Sequence, residues 1–246
     1  GDMDSQWRQL AQWIAQSNRI VFFGGAGVST ESGIPDFRGA KGFFHQDREI
    51  PIERVLSIDF FETHPQAYWE WFAQENAREG VAPNAAHRFL AELEKRGSLS
   101  AVVTQNIDGL HQEAGSSCVL ELHGSIRRSY CMDCHAFYDE RFLQASEGVP
   151  HCTKCGGIVK PDVVLYEESL DADVLDAAVR AIAAADLLIV GGTSLVVYPA
   201  AGLLRCFKGR HLVLINKTAT KADERADLVI HDSLGEVFRE VMVGLT

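Results

Sequence analysis

No apolar stretch in this sequence approaches the roughly 20 residues that cross a bilayer; runs such as Leu187 to Val190 stop after a few positions. No charged-then-apolar leader opens the chain, and Gly1 and Asp2 ahead of Met3 read as a cloning remnant. A soluble, cytoplasmic chain with no membrane partner is therefore expected. Basic residues are also in deficit, with 23 Lys+Arg against 34 Asp+Glu and a formal charge of -11. Such a surface repels a phosphate backbone, so nucleic acid is excluded as a partner. Proline numbers only 7, and low-complexity tracts, internal repeats and Pro/Ser linkers are missing. With 46% hydrophobic and 23% charged residues, disordered, collagen-like and coiled-coil classes fall away. A length of 246 residues corresponds to one or two domains at about 150 residues each, and a monomer is expected.

What is present starts with six cysteines, four of them in two tight pairs, Cys131/Cys134 and Cys152/Cys155. In a cytosolic chain such C-x2-C pairs read as metal ligands rather than disulfides, because each turn presents two thiolates to one ion. Four thiolates close a tetrahedral shell around Zn2+ and leave no position for water, which makes the site structural. His135 and His151 stand beside these cysteines and offer alternative ligands, while Cys118 and Cys206 stand alone.

Along the chain, helical and strand patterns alternate. Trp7, Leu10, Ala11 and Ile14 recur at helical spacing, as do Ala86, Phe89, Leu90 and Leu93 before Gly97. Apolar strands are expected at 19–23, 99–104, 118–122, 186–190, 211–215 and 227–231, with helices near 171–184, 199–207 and 233–243. Near-continuous Val/Leu/Ile runs mean strands buried on both faces, as in parallel sheets under crossover helices. The expected fold is α/β: a doubly wound, mostly parallel Rossmann-like sheet assembled from 3–33, 81–123 and 161–246. A helical, aromatic-rich cofactor-loop insertion at 34–80 and a small zinc-binding module at 124–160 interrupt it.

Gly25-Ala26-Gly27 directly follows the first strand, where residues without bulky side chains let backbone N–H groups approach a pyrophosphate. The full dinucleotide fingerprint fails, because Thr30 occupies the third glycine position and no acidic residue follows at the ribose-binding distance. An ordinary glycine-rich turn is the competing reading. Next, Pro35-Asp36-Phe37-Arg38-Gly39 packs an acid, an aromatic and a base between Pro and Gly, which points to a functional lid. Gln105, Asn106 and Asp108 leave the end of another strand, the place where open α/β sheets put ligand-binding groups. His123 also sits at a strand's carboxyl end, and a structural His is the competing reading there.

These segments together resemble one family, the sirtuins, NAD-dependent protein lysine deacylases. The resemblance runs from about residue 8 to 240. It rests on Gly25-Ala26-Gly27-Val28-Ser29 with Gly33-Ile34-Pro35-Asp36-Phe37-Arg38, on Thr104-Gln105-Asn106-Ile107-Asp108-Gly109-Leu110-His111, on His123-Gly124, on the cysteine pairs, and on Gly192-Thr193-Ser194-Leu195-Val196-Val197-Tyr198-Pro199. It implies NAD consumed as a co-substrate and one structural Zn2+. It implies His123 as the catalytic base, aided by Asn106. Asn106, Ile107 and Asp108 would line the nicotinamide pocket, Gln105 would meet the nicotinamide ribose, and Phe37 would shield the sugar face. Gly25, Ala26, Gly27, Thr30, Asp36, Arg38, Gly192, Thr193 and Ser194 would complete the cofactor site, with Asn216, Lys217 and Asp232 at the adenosine end. Val164, Tyr166, Glu167, Val196 and Val197 would flank an acyl-lysine peptide as short extended segments, Val164 accepting the acyl-lysine amide hydrogen bond.

The implied reaction moves an acetyl group from lysine to ADP-ribose and releases nicotinamide and deacetylated protein. Mono-ADP-ribosyl transfer shares the same cofactor residues and differs only in acceptor; a zinc-ribbon binding module on an α/β scaffold is the non-enzyme alternative. A hydride-transferring dehydrogenase would need the missing third glycine. Two departures from the family pattern stand out. Gly24 replaces the usual Thr, and Tyr166-Glu167-Glu168 stands where Phe-Gly-Glu is usual. Phe72 and Glu75 best match the positions that hold acidic acyl groups elsewhere in the family; Glu75 would repel such groups, so acetyl is expected, with Arg78 close by.

Overall fold

The computed structural model describes residues 2–35 and 42–245. Helix α1 (Asp2–Gln16) leads into β1 (Ile20–Gly24). A short hairpin of β2 (Phe43–His45) and β3 (Arg48–Ile50) precedes three helices, α2 (Ile52–Val55), α3 (Ile58–Thr63) and α4 (Pro65–Glu75). Then come α5 (Ala85–Lys95), β4 (Leu99–Thr104), α6 (Leu110–Glu113) and β5 (Val119–Glu121). The cysteine-bearing stretch holds β6 (Gly124–Cys131), β7 (Phe137–Tyr138), α7 (Glu140–Ala145) and β8 (Val159–Val163). The chain closes with α8 (Ala172–Ala184), β9 (Leu187–Gly191), α9 (Ala200–Leu204), β10 (His211–Ile215), β11 (Leu228–Ile230) and α10 (Leu234–Leu245).

Six strands form one parallel sheet in the order β11-β10-β9-β1-β4-β5. These are the six strands expected from the apolar runs. Alternate residues of β1 explain why the runs are continuous: Ile20 and Phe22 face α1, α5 and α10, while Val21 and Phe23 face α8 and α9, and all four are fully buried. Phe238 of α10 stacks on Phe89 of α5, ring centroids 4.5 Å apart, and meets Phe22 edge-on. Aromatic packing of this kind adds about 0.5–1.5 kcal/mol per pair beyond the area it buries. Asn84 starts α5 with a capping box in which His87 takes the reciprocal role, and Asp171 caps α8.

Chain order reverses beside β1. From there the chain moves outward through β4 and β5, then returns to β9 on the other side and moves outward again through β10 and β11. A doubly wound sheet places its ligand crevice at this switch point, beyond the carboxyl ends of the strands.

The inserted segments behave differently from two separate units. A three-stranded sheet, β7-β6-β8, spans Gly124 to Val163, because β8 pairs antiparallel with β6. Its Val163, together with Leu165, is buried in the same apolar cluster as Phe60, Phe61, Tyr68 and Phe72 of the helical insertion. The described part of the insertion and the cysteine module thus share one core. Among the described residues no helix is long and apolar enough to cross a membrane.

Candidate active site and metal centre

The turns after β1 and β9 touch at the switch point. Gly27 donates its N–H to the Gly192 carbonyl at 2.8 Å and Gly25 donates to Gly191 at 3.3 Å. A Cβ on Gly27 would lie 2.6 Å from the Gly192 Cα, so glycine is required here by one backbone packing on another. The Gly25 and Gly27 amides are thus engaged by the neighbouring turn. Ala26 keeps the one N–H of the Gly25–Gly27 run with no partner among the described residues. Gly24 is tight as well. A Cβ there would stand 2.5 Å from the Phe22 ring and 2.8 Å from the Val28 side chain, so the Thr usual in the resembled family would need both to move.

Beyond β4, Gln105 is held by its own N–H on the Gly24 carbonyl and by Thr193 Oγ1, which donates to Gln105 Oε1 at 2.8 Å. Gln105 Nε2 is buried with no partner among the described residues. Asn106 donates its side-chain Nδ2 to the Gly25 carbonyl at 2.9 Å, which fixes the β4 turn against the β1 turn. Ile107 accepts the Ile126 N–H at 3.0 Å, and Asp108 accepts the Leu110 N–H at 3.0 Å and the Ser29 hydroxyl at 2.6 Å.

Behind Asp108 lies a buried polar chain that inspection of motifs alone did not assign. His87 Nδ1 accepts the Asn84 N–H at 3.1 Å, so its proton sits on Nε2, 3.3 Å from Ser29 Oγ. His87 thereby donates to Ser29, and Ser29 donates to the Asp108 carboxylate. His111 packs edge-on against His87, with ring centroids 4.8 Å apart and neither ring nitrogen hydrogen-bonded. Burial pulls both imidazoles down to about 4, helped for His87 by Arg88 and for His111 by His87. Both stay neutral at physiological pH.

Past β5, His123 places Nδ1 3.0 Å from the Gln105 carbonyl. A carbonyl only accepts, so Nδ1 carries the proton and Nε2 is left as a base. Gly124 follows with φ 81°, and a Cβ there would fall on the Asp162 carbonyl oxygen, so only glycine fits beneath β8. At the other end Thr193 donates its N–H to Asn216 Oδ1 at 2.9 Å, while Asn216 Nδ2 is buried without a partner among the described residues. Lys217 is exposed and Asp232 accepts the Ser233 N–H. Thr30 Oγ1 donates to the Gly27 carbonyl.

One cleft of about 1790 Å³ collects these groups: Ala26, Gly27, Thr30, Gln105, Asn106, Ile107, Asp108, His123, Gly192, Thr193, Ser194, Asn216, Lys217 and Asp232 all line it. Gly25 packs just behind. Asp36, Phe37 and Arg38 lie outside the described residues. A Cβ-free cradle of two glycine turns, flanked by the orphaned donors Gln105 Nε2 and Asn216 Nδ2, fits a dinucleotide such as NAD.

Val164, Tyr166, Glu167, Val196 and Val197 line the same cleft. Their local structure differs from the extended segments expected. Of 163–166 only Val163 belongs to a strand, and Tyr166 is engaged by the helical insertion, donating to Leu56 and accepting from Ile58. Residues 195–198 form bends and a turn, with Leu195 at φ 65°. Val164 donates to the His123 carbonyl, and its own carbonyl has no partner among the described residues. Val196 is 70% and Tyr198 76% exposed, an unusual presentation for apolar side chains. On the inner wall Glu75 pairs with Arg78 at 2.9 Å beside buried Phe72.

The four paired cysteines converge, all four Sγ atoms lying within 4.8 Å of one another. Cys131 and Cys155 are 3.4 Å apart and Cys134 and Cys152 3.5 Å, near the roughly 3.8 Å between sulfurs that a tetrahedron of 2.3 Å Zn–S bonds implies. Tyr138 donates its hydroxyl to Cys152 Sγ at 3.1 Å and pulls that thiol down to about 6. His151 instead turns Nδ1 to the Gly156 carbonyl, and neither it nor His135 joins the cluster. The cluster is compatible with a closed, structural zinc site.

Comparison with known proteins agrees with this geometry. The Sir2 family model matches residues 25–199. An NAD-dependent protein deacetylase of Clostridium perfringens is 58% identical over 243 residues, covering 98% of this chain and all of that protein. One from Clostridium acetobutylicum is 56% identical, covering 95% and 97%. Among solved structures, a Sir2 with p53 peptide and NAD+ superposes with a TM-score of 0.82 at 39% identity, covering 96% and 97%. A Sir2 bound to acetylated peptide gives 0.83 at 37%, covering 97% and 99%.

Two outcomes are expected. A chelator strong enough to strip thiolate zinc, or Cys155→Ala, removes one zinc per chain and unfolds the β6–β8 module, since such sites contribute about 10–16 kcal/mol of apparent binding energy in peptides; metal analysis with circular dichroism checks this, and an intact fold without metal would contradict it. The buried histidines make stability pH-dependent. Their folded values near 4 lie below the unfolded 6.5, so their contribution is whole above pH 6.5 and falls away as pH drops towards 4. Each is worth at most about 3 kcal/mol across that interval. Urea unfolding at pH 7, 5.5 and 4.5 should show the loss, and His111→Leu should show less of it.

Proposed function

The chain belongs to the Sir2 family, and from that premise we propose that it is an NAD-dependent protein deacetylase acting on acetyl-lysine in proteins or peptides. The observation that carries this reading is His123, whose Nδ1–H is fixed on the Gln105 carbonyl so that Nε2 is available as a base in the same cleft as the orphaned donors Gln105 Nε2 and Asn216 Nδ2. The C. perfringens and C. acetobutylicum relatives bear the name of that activity, and neighbouring Sir2 structures hold acetylated peptide or a p53 peptide with NAD+.

NAD, when bound, supplies an activated ribose carbon with nicotinamide as the leaving group. The chain's own residues do the rest. Asp108, kept as an acceptor by Ser29 and His87, would receive the carboxamide N–H of nicotinamide, with Ile107 at the same pocket. Gln105 Nε2 and Asn216 Nδ2 would hold ribose hydroxyls, the Ala26 N–H and the turn at Gly192–Ser194 would hold the pyrophosphate, and Lys217 and Asp232 would serve the adenosine end. The Val164 carbonyl accepts the N–H of the acetyl-lysine amide and aims its oxygen at the sugar. An amide oxygen is a weak nucleophile, so the rate depends on this two-sided positioning. His123 Nε2 would serve as the base for a ribose hydroxyl, taking its proton so that this oxygen can attack the acetyl carbon. Water completes the release of lysine, and the acetyl group leaves on ADP-ribose. Along the inner wall, the Glu75–Arg78 pair cancels its own charge next to Phe72, which suits a small neutral acyl group.

Mass spectrometry of an acetyl-lysine peptide incubated with the protein tests this. Expected are deacetylated peptide, nicotinamide and acetyl-ADP-ribose in equal amounts, all dependent on NAD, with His123→Ala slower by about 10²- to 10⁴-fold. ADP-ribose appearing on protein, with the peptide still acetylated, would assign the chain to mono-ADP-ribosyl transfer instead.

A further inference from the structure

We propose that Glu167 determines substrate choice, favouring acetyl-lysine that has a Lys or Arg beside it in sequence; this deepens, and rests on, the deacetylase reading. Leu165 and Glu168 close a tight turn on each other, with the Leu165 N–H on Glu168 Oε1 at 3.0 Å and the Glu168 N–H on the Leu165 carbonyl at 3.0 Å. Tyr166 is fastened at both its N–H and its carbonyl by Leu56 and Ile58. The two restraints leave Glu167 at the tip with φ 77°, a left-handed conformation disfavoured for any residue but glycine. A strained residue held in a binding cleft by an over-determined surround is grounds for a functional reading.

Two exposed carboxylates that line the cleft, Glu53 and Glu167, lack a side-chain partner among the described residues, and of the two only Glu167 sits on the strained turn next to Tyr166. Glu168 is matched by the nearly buried Lys160, whose Nζ lies 3.1 Å away. Glu75 pairs with Arg78, and Glu140 with Arg127 at 3.7 Å. Glu167 lines the cleft, is exposed, and has neither ion pair nor hydrogen bond among the described residues. Exposed apolar side chains share the cleft with it, Tyr166 at 58% beside it in sequence and Val197 and Tyr198 elsewhere on the lining. Such a surface takes peptide side chains with little discrimination, so the Glu167 carboxylate decides between cationic and anionic neighbours of the acetyl-lysine. The chain's net charge of -11 acts in the same direction on encounter.

The test is kcat/KM on three acetyl-lysine peptides that differ only in flanking residues, basic, neutral or acidic, for wild type, Glu167→Gln and Glu167→Gly. Wild type should favour the basic over the acidic peptide by about two- to fivefold at low salt, in KM rather than kcat, the size of a partly exposed ion pair. The preference should collapse in about 1 M salt, where the Debye length is near 3 Å. Both variants should lose it, and Glu167→Gly should also melt higher than Glu167→Gln because glycine accepts the left-handed turn. Equal turnover by wild type, or a ratio unchanged in Glu167→Gln, would overturn the assignment while leaving the deacetylase reading intact. NAD-independent or absent loss of acetyl from all three peptides would overturn the deacetylase reading itself.

Discussion

The backbone contact between the Gly25–Gly27 turn and the Gly191–Gly192 turn is the constraint on which the rest of the cleft depends. The hydrogen bond from Gly27 to Gly192 forms only because neither residue carries a Cβ, and it joins the two strands at which the sheet reverses its winding. Each neighbouring ligand group is then referred to this junction: Asn106 bonds to Gly25, Gln105 to Gly24 and Thr193, and Thr193 to Asn216. Groups from β1, β4, β9 and β10 thus share one frame. Preorganisation of this kind matters most where positioning, rather than a strong nucleophile, sets the rate.

The second half of the cleft is positioned by a different device. His123 and Val164 are adjacent because Val164 donates to the His123 carbonyl at the point where β8 crosses over Gly124. The juxtaposition of His123 and Val164 is therefore a property of the cysteine module's first and last strands. Zinc would act at a distance here: its four thiolates would tie the end of β6 to the segment that leads into β8, and β6 starts just after His123 while β8 ends just before Val164. The helical insertion supports the same element from the other side through Leu56, Ile58 and Tyr166. This division of labour explains how a closed metal site with no open ligand position can still be needed for chemistry.

Much of this was legible in the residues themselves. Two-sided burial makes β1, β4, β9 and β10 read as apolar runs, and paired cysteines announce a metal because few other arrangements use that spacing. His123 was legible only through its motif, since a lone imidazole after a strand has no local signature. Other features were hidden because they depend on contacts between distant segments. The engaged amides of Gly25 and Gly27, the irregular backbone of Leu195–Tyr198, and the common core uniting residues 52–72 with Val163 are all tertiary. The chain from His87 through Ser29 to Asp108 spans three segments, and its only sequence signal was the Asn84–His87 capping spacing. Glu167 was visible as a departure from pattern; its left-handed φ and its lack of a countercharge needed the fold.

The most direct test of the central claim, that one cleft at the β1/β9 junction holds NAD and acetyl-lysine together, is a crystal structure of the zinc-loaded protein with an acetyl-lysine peptide and an unreactive NAD analogue. The account predicts that Gln105 Nε2 and Asn216 Nδ2 acquire ribose hydroxyls as partners, that His123 Nε2 faces the ribose, and that the Val164 carbonyl accepts the acetyl-lysine N–H. An analogue bound away from the two glycine turns, or bound there with both amide nitrogens still unpartnered, would contradict it.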